Sequence, residues 1–208
     1  MAKLIIEAGR SSKHYWKDLW RYRELFYFLS WRDLLVRYRQ TAIGVAWAIL
    51  QPLLTVIVLT VIFGKLAKMH TPGVPDPILI MAGTLPWQFF SNSLTGSSNS
   101  VVANANLISK VYFPRMLVPA SSILVSLVDF LISFVILMGF FLWYQFVPTW
   151  RFVFLPLMML LAFLAALGPG LIITTLNVRY RDFKYIIPFI VQFGMLASPV
   201  GYSSSYIA

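Results

Sequence analysis

Few residues in this sequence have the types and spacing that covalent chemistry needs. Paired carboxylates flanking one bond would serve glycosyl transfer or hydrolysis. The available acids, Asp76 and Asp129, fall in an external loop and in the middle of a long apolar run. His14 and His70 stand alone and the chain has no cysteine, so no metal-ligand cluster forms and disulfides are excluded. Nucleotide hydrolysis requires a glycine-rich phosphate cradle ending in Lys and Ser/Thr. Gly64-Lys65 is followed by Leu66 and lacks the upstream glycine. The chain therefore reads as non-catalytic, with no cofactor, metal or nucleotide site of its own.

What the sequence offers instead is recognition. Arg32, Arg37 and Arg39 precede the first long apolar run, and arginine can grip a phosphate with two hydrogen bonds at once. By themselves they read as orientation signals for the first span. Trp87, Gln88, Phe89, Phe90 and Asn92 cluster in the most polar of the apolar segments. Such a segment should face other protein or a water-filled path. Aromatics near a span end also serve as interface anchors. Asp129 is the one acid within an apolar core. Such a group either marks a pathway or makes a structural hydrogen bond to a neighbouring helix.

Two inner segments complete the set. The first runs through Asn106, Lys110, Phe113, Pro114 and Arg115, with Pro119 beyond. It can form a short amphipathic helix along the membrane surface, followed by a helix whose start tolerates proline. The second reads Asn177, Val178, Arg179, Tyr180, Arg181, Asp182. By themselves both are compatible with plain basic turns.

Composition dictates what must hold these groups. Apolar residues make up 59% of the 208 and charged residues 12%, with a mean hydropathy of +0.77. A soluble domain is about 45–50% apolar and about a quarter charged, so lipid must cover much of this surface. The net charge is +10, but the bases lie between apolar runs rather than on one soluble face, which argues against nucleic acid and for membrane lipids. Five spans are expected, at about 41–64, 78–98, 117–144, 152–176 and 185–202, each near the 20 or so residues a bilayer needs. The second carries Pro86, Gln88 and Asn92 and should face protein or a water-filled path.

Residues 1–40 form a cytoplasmic segment ahead of a transmembrane domain at 41–208. Lys13, Lys17 and Arg21 recur every four residues on one helical face, with Trp16, Leu19, Trp20, Phe26 and Tyr27 mostly on another. Such a helix should lie in the plane of the headgroups. A second charged helix is expected from Trp31 to Gln40, in which Asp33 and Arg37 can pair at i,i+4. No cleavable signal peptide is expected, because charged and aromatic residues fill the chain ahead of the first apolar run. Of the 17 Lys and Arg, only Lys65, Lys68 and Arg151 fall on the side opposite the N-terminus. That bias puts the N-terminus in the cytoplasm. The fold class is an all-α polytopic membrane protein, with an N-terminal amphipathic interfacial helix and about five transmembrane helices.

With these elements in order, the sequence resembles the permease subunits of type-2 ATP-binding-cassette exporters, in the branch that moves O-antigen, capsule and teichoic-acid polymers. The resemblance rests on four groups of residues: Trp31-Arg32-Asp33 with Arg37-Tyr38, Gly44, Trp47, Gln51-Pro52 and Phe63-Gly64; Gly83 and Trp87; Asn106-Leu107-Ile108, Lys110-Val111, Phe113-Pro114-Arg115, Pro119 and Val128-Asp129-Phe130; and Asn177, Arg179 to Asp182, Pro188, Gln192, Ser198-Pro199-Val200 and Tyr202. Such permeases have six spans, with a re-entrant hairpin before the last, whereas this sequence stops at Ala208 where that hairpin would begin.

The resemblance implies a homodimer in the bacterial inner membrane. A separate ATPase subunit would bind ATP and magnesium, and the substrate would be a polysaccharide on undecaprenyl pyrophosphate or a related lipid. Arg32, Arg37 and Arg39 would then meet the substrate headgroup, and Trp87, Gln88, Phe89, Phe90, Asn92 and Asp129 would line the translocation path. The resemblance also implies that Asn106, Lys110, Phe113, Pro114, Arg115, Arg179, Arg181 and Asp182 meet the ATPase. A lipid or small-molecule exporter of the same fold, or a membrane scaffold without a transport path, are the alternatives.

Overall fold

The computed structural model describes residues 19–39, 44–66, 73–180 and 182–198. Their order is α1 (Arg23–Arg39), α2 (Gly44–Leu59) continuing as a π-helical turn over Thr60–Leu66, α3 (Asp76–Ala103), α4 (Ala105–Lys110), α5 (Leu117–Trp143), a 3-10 turn at Trp150–Phe154, α6 (Leu155–Arg179) and α7 (Phe183–Ala197). Helices are what lipid permits, because each satisfies its backbone polar groups internally. The hydroxyls follow the same rule: Ser100 donates to Ser97 O, Ser121 to Val118 O and Ser133 to Asp129 O.

Three helical stretches are long and apolar enough to cross a membrane, Ala46–Gly64, Leu117–Trp143 and Phe152–Arg179. Helix α3 has 28 residues, about 42 Å at 1.5 Å per residue, so it has the length to cross. Its polarity has a structural reason. It is the central helix, packed along its length between α5 and α6, and Ser93, Ser97 and Ser98 are fully buried. The expectation that this segment faces protein is met. Helix α7 spans only 15 residues, and the end of the expected fifth span, beyond 198, lies outside the described residues.

One apolar core gathers Ile78, Met81, Leu85 and Phe89 of α3 with Ile123, Phe130, Leu137 and Phe141 of α5, and takes in Val56 of α2. A second, smaller cluster joins Leu29 of α1 to Phe113, Leu117 and Val118. A third sets Leu94 against Ile187 and Val191 of α7.

The N-terminal region differs from the sequence expectation in one way. Arg23–Arg39 is one continuous helix rather than two divided near residue 30. It packs along α5: Leu29 sits at the start of α5 on Leu117 and Val118, and Tyr38 reaches Asp129, twelve residues further on. That is a climb of about 18 Å along α5. An apolar anchor at one end and a polar one at the other fix this direction, and the periodicity of α1 alone carries neither. The basic stripe of Lys13 and Lys17 lies outside the described residues.

Candidate substrate and coupling site

Helix α1 carries the cations, and its turns sort them onto two sides. Arg32 and Arg39, seven residues apart, share a face with Phe28, Trp31 and Leu35, and together with Val36 they line a groove of about 240 Å³. Arg37 points the other way. Its Nη2 lies 2.5 Å from Oδ2 of Asp129, a charge contact rather than an aligned hydrogen bond, since that oxygen has no hydrogen-bond donor among the described residues. The Tyr38 hydroxyl donates to Oδ1 of the same carboxylate. Burial, helped by this carboxylate, pushes the Tyr38 phenol above its ordinary range, so it stays a protonated donor. The carboxylate is thus held by two consecutive residues of α1, which is the structural partnership anticipated as one of its two readings.

The Asp33–Arg37 pair does not form. Asp33 Oδ1 takes two hydrogen bonds from its neighbour Arg32, at 3.0 and 2.6 Å. Asp129 offers Arg37 a more buried and less screened partner, with side-chain exposure of 16%. Arg32 also donates to Asn104 Oδ1 at 2.6 Å, and Asn104 is the single residue between α3 and α4. The three arginines grouped by sequence therefore act separately: Arg32 ties α1 to the α3–α4 joint, Arg37 holds Asp129, and Arg39 is exposed.

Beyond Val36, which also lines the arginine groove, lies a cleft of about 350 Å³ between α1, α3 and α5, where polar side chains stand among Val36, Ala103 and Val125. Asp33 and Arg37 face it from α1, Asn92, Gly96, Asn99, Ser100 and Asn104 from the α3 side, and Ser122 and Ser126 from α5. Of the path residues proposed from sequence, Asn92 is here. Phe89 is not a lining residue: it is 2% exposed and stacks edge-on against Phe130 at 5.9 Å in the apolar core. Trp87 and Phe90 lean together at 5.8 Å against the α7 cluster. A Cβ on Gly194 of α7 would come within 2.9 Å of the Trp87 indole. Gln88 is half-buried. The five-residue group splits because a helix turns about 100° per residue, so consecutive residues cannot share one wall.

The inner segment forms α4 and the turn after it. Asn106, Lys110 and Arg115 are exposed, whereas Phe113 and Pro114 are buried, Phe113 against Leu29 of α1. The first three are available to a partner, and Phe113 is an anchor. Pro119 falls in the first turn of α5, where its missing N–H has no intrahelical partner to lose. At the other inner segment Arg179 sits over the Tyr180 ring at 5.4 Å, and Asp182 is exposed. Arg181 lies outside the described residues.

Sequence reading missed the contribution of Gly96, Asn99, Ser100, Asn104 and Tyr38. A signal was present for Gly96 and Asn99, which recur with Asn92 and Ala103 at three- and four-residue spacing along one helical face. It also missed the seam between α3 and α6. Thr174 donates across to Ser97 O at 2.7 Å, and Asn177 donates to Ser98 O and Asn99 Oδ1. Gly170 lies so close to α3 that a Cβ there would sit 2.2 Å from the Ser97 hydroxyl. Asn177, grouped by sequence with the second inner segment, is 3% exposed and belongs to this seam.

Comparison with known proteins agrees with this architecture. The family model for the ABC-2 type transporter matches residues 24–208. The O-antigen export system permease protein RfbA of Myxococcus xanthus is 30% identical over 191 residues, which cover 92% of this chain and 73% of that protein. A Klebsiella pneumoniae protein of the same description is 28% identical, covering 88% and 71%. The polysialic acid transport protein KpsM of Escherichia coli is 22% identical over 162 residues, 77% of this chain and 63% of its own. On the match over residues 24–208 and these likenesses, the chain belongs to the ABC-2 type transporter family.

Proposed function

We propose that this chain is the membrane-spanning permease subunit of an ATP-driven exporter that moves lipid-linked polysaccharide across the bacterial inner membrane. The observation that carries the reading is the likeness to O-antigen and polysialic acid export proteins over most of the chain. The substrate is a polymer of O-antigen, capsule or teichoic-acid type on a lipid pyrophosphate. A separate ATPase subunit binds ATP and magnesium, a second copy of the permease completes the path, and the N-terminus is cytoplasmic.

Three features support a division of labour. Exposed Asn106, Lys110 and Arg115 form the docking face for the ATPase, joined by Arg179, Arg181 and Asp182 from the second inner segment. Movement of α4 reaches α3 through Asn104 and α1 through the Arg32–Asn104 bond and the Phe113–Leu29 contact. Arg32 and Arg39, on an otherwise apolar groove, meet the lipid phosphate at the inner headgroup level, since uncompensated charge is costly to bury. ATP then works by favouring one of two arrangements of these helices, which requires different binding energy in each.

Deletion of the gene tests the reading. Lipid-linked polymer should accumulate inside the cell and disappear from its surface, and a plasmid copy should restore it. Unchanged surface polymer with no internal accumulation would refute the proposal.

A further inference from the structure

The arginine groove and the cleft are contiguous. Val36 lines both, and Arg32, which lines the groove, bonds Asn104, which lines the cleft. The order across this junction is an apolar face with Phe28, Trp31 and Leu35, then two arginines, then a pocket of amides, hydroxyls and one carboxylate. An amphiphile built in the same order has an apolar chain, then a phosphate, then a hydroxyl-rich group.

The unused bonding capacity of the cleft suits that last part. Among the described residues, the Asn92 amide and the Ser126 hydroxyl make no hydrogen bond, and Asp33 accepts from Arg32 through Oδ1 only. Ser100 and Ser122 spend their protons on backbone carbonyls, which leaves their oxygens as acceptors. Arg37 brings donors. A wall with several acceptors, an amide and a carboxylate fits neutral hydroxyl groups, which both donate and accept. At about 350 Å³ the cleft is near the lower limit of ligand pockets, about 300 Å³. That is room for a single small polar group and not for a polymer.

We infer that the cleft between α1, α3 and α5 binds the hydroxyl-rich group carried on a lipid phosphate held by Arg32 and Arg39, and that in this exporter the group is the first sugar of the lipid-linked glycan. The inference rests on the proposed function and sharpens it: the permease reads the junction between lipid and glycan within one subunit. A glycerol-bearing phospholipid shares this chemistry and is the competing source.

The test uses the full-length permease with its ATPase in phosphatidylethanolamine nanodiscs. Three probes are measured: lipid-linked polysaccharide isolated from the producing cells, undecaprenyl pyrophosphate without sugar, and phosphatidylglycerol. Gly96→Ala narrows the cleft, and is tolerable because a Cβ at Gly96 meets Ser122 only at an ordinary 3.8 Å. Asn92→Ala removes an unused amide without adding bulk. The wild type should bind the glycan-bearing lipid about tenfold or more tighter than the bare lipid, the worth of one to two well-made hydrogen bonds. Each variant should lose most of that advantage and keep its bare-lipid affinity. Equal affinity for the two lipids in the wild type would overturn the inference and leave the proposed function standing. An advantage retained in both variants, loss of bare-lipid affinity in both, or competition by phosphatidylglycerol would overturn it in the same way. Binding of neither pyrophosphate lipid would overturn the inference and the proposed function together.

Discussion

Removing the Asp129 carboxylate should loosen α1 from α5 by a measurable amount, and a double-mutant cycle with Arg37 isolates the ionic part. An exposed ion pair contributes about 0–1 kcal/mol, while breaking a buried one costs about 3–5 kcal/mol. Here the partners differ, with side-chain exposure of 16% for Asp129 and 46% for Arg37. The expected coupling is therefore intermediate, about 1–2 kcal/mol. Asp129→Ala also strips the Tyr38 hydroxyl of its acceptor, and a hydrogen bond to a charged group is worth about 1.5–3 kcal/mol. The total cost of Asp129→Ala should be about 3 kcal/mol. Asp129→Asn keeps an acceptor for Tyr38 and loses the charge, so it should cost less. Arg37→Ala, Asp129→Ala and the double variant would be unfolded reversibly in mixed micelles. The double variant should be less damaged than the two single losses combined by that 1–2 kcal/mol. A coupling below about 0.5 kcal/mol, the limit for independent sites, would refute the latch.

Other consequences are equally accessible. Gly170→Ala should destabilise by about 1–3 kcal/mol, as overpacking does, because its Cβ would meet the Ser97 hydroxyl at 2.2 Å; Ser97→Ala in the same chain should recover part of the loss in the same unfolding measurement. Phe113→Ala should cost about 3–5 kcal/mol by opening the α1–α5 anchor, seen as a lower yield of folded permease. Arg115→Ala combined with Lys110→Ala should leave the yield unchanged and weaken co-purification of the ATPase. A cysteine at Thr149 should label from outside intact cells and one at Tyr180 only after permeabilisation; equal labelling would overturn the topology.

The spans were legible because lipid imposes a length and an apolar composition that single residues cannot hide, as in Leu117–Trp143. That α3 turns away from lipid was also legible: Gln88, Asn92 and its serines would be poor lipid neighbours, so protein or a water-filled path had to cover them. The pairing of charges was not. Spacing within α1 offered Asp33 to Arg37, but the winning acceptor, Asp129, is 92 residues away and only the packing of α1 along α5 brings it close. Phe89 and Asn92 read alike as path residues, and their different fates follow from helix phase, which places one in the core and the other in the cleft. Phe113 and Arg115 read alike as a docking motif, and burial separates them. Seams held by backbone carbonyls, such as Thr174 to Ser97 O, leave no mark in the sequence of the acceptor.

The central claim is that this permease moves a lipid-linked polymer when its ATPase turns over. Inside-out membrane vesicles containing both subunits, loaded with the polymer on their outer leaflet, test it most directly. The measurement is the fraction of polymer that an added anti-polymer antibody can reach. The account predicts that this fraction falls on addition of ATP and magnesium, and stays constant with a non-hydrolysable analogue or without the permease. An antibody-accessible fraction that ATP leaves unchanged, in vesicles whose ATPase is active and bound, would contradict it.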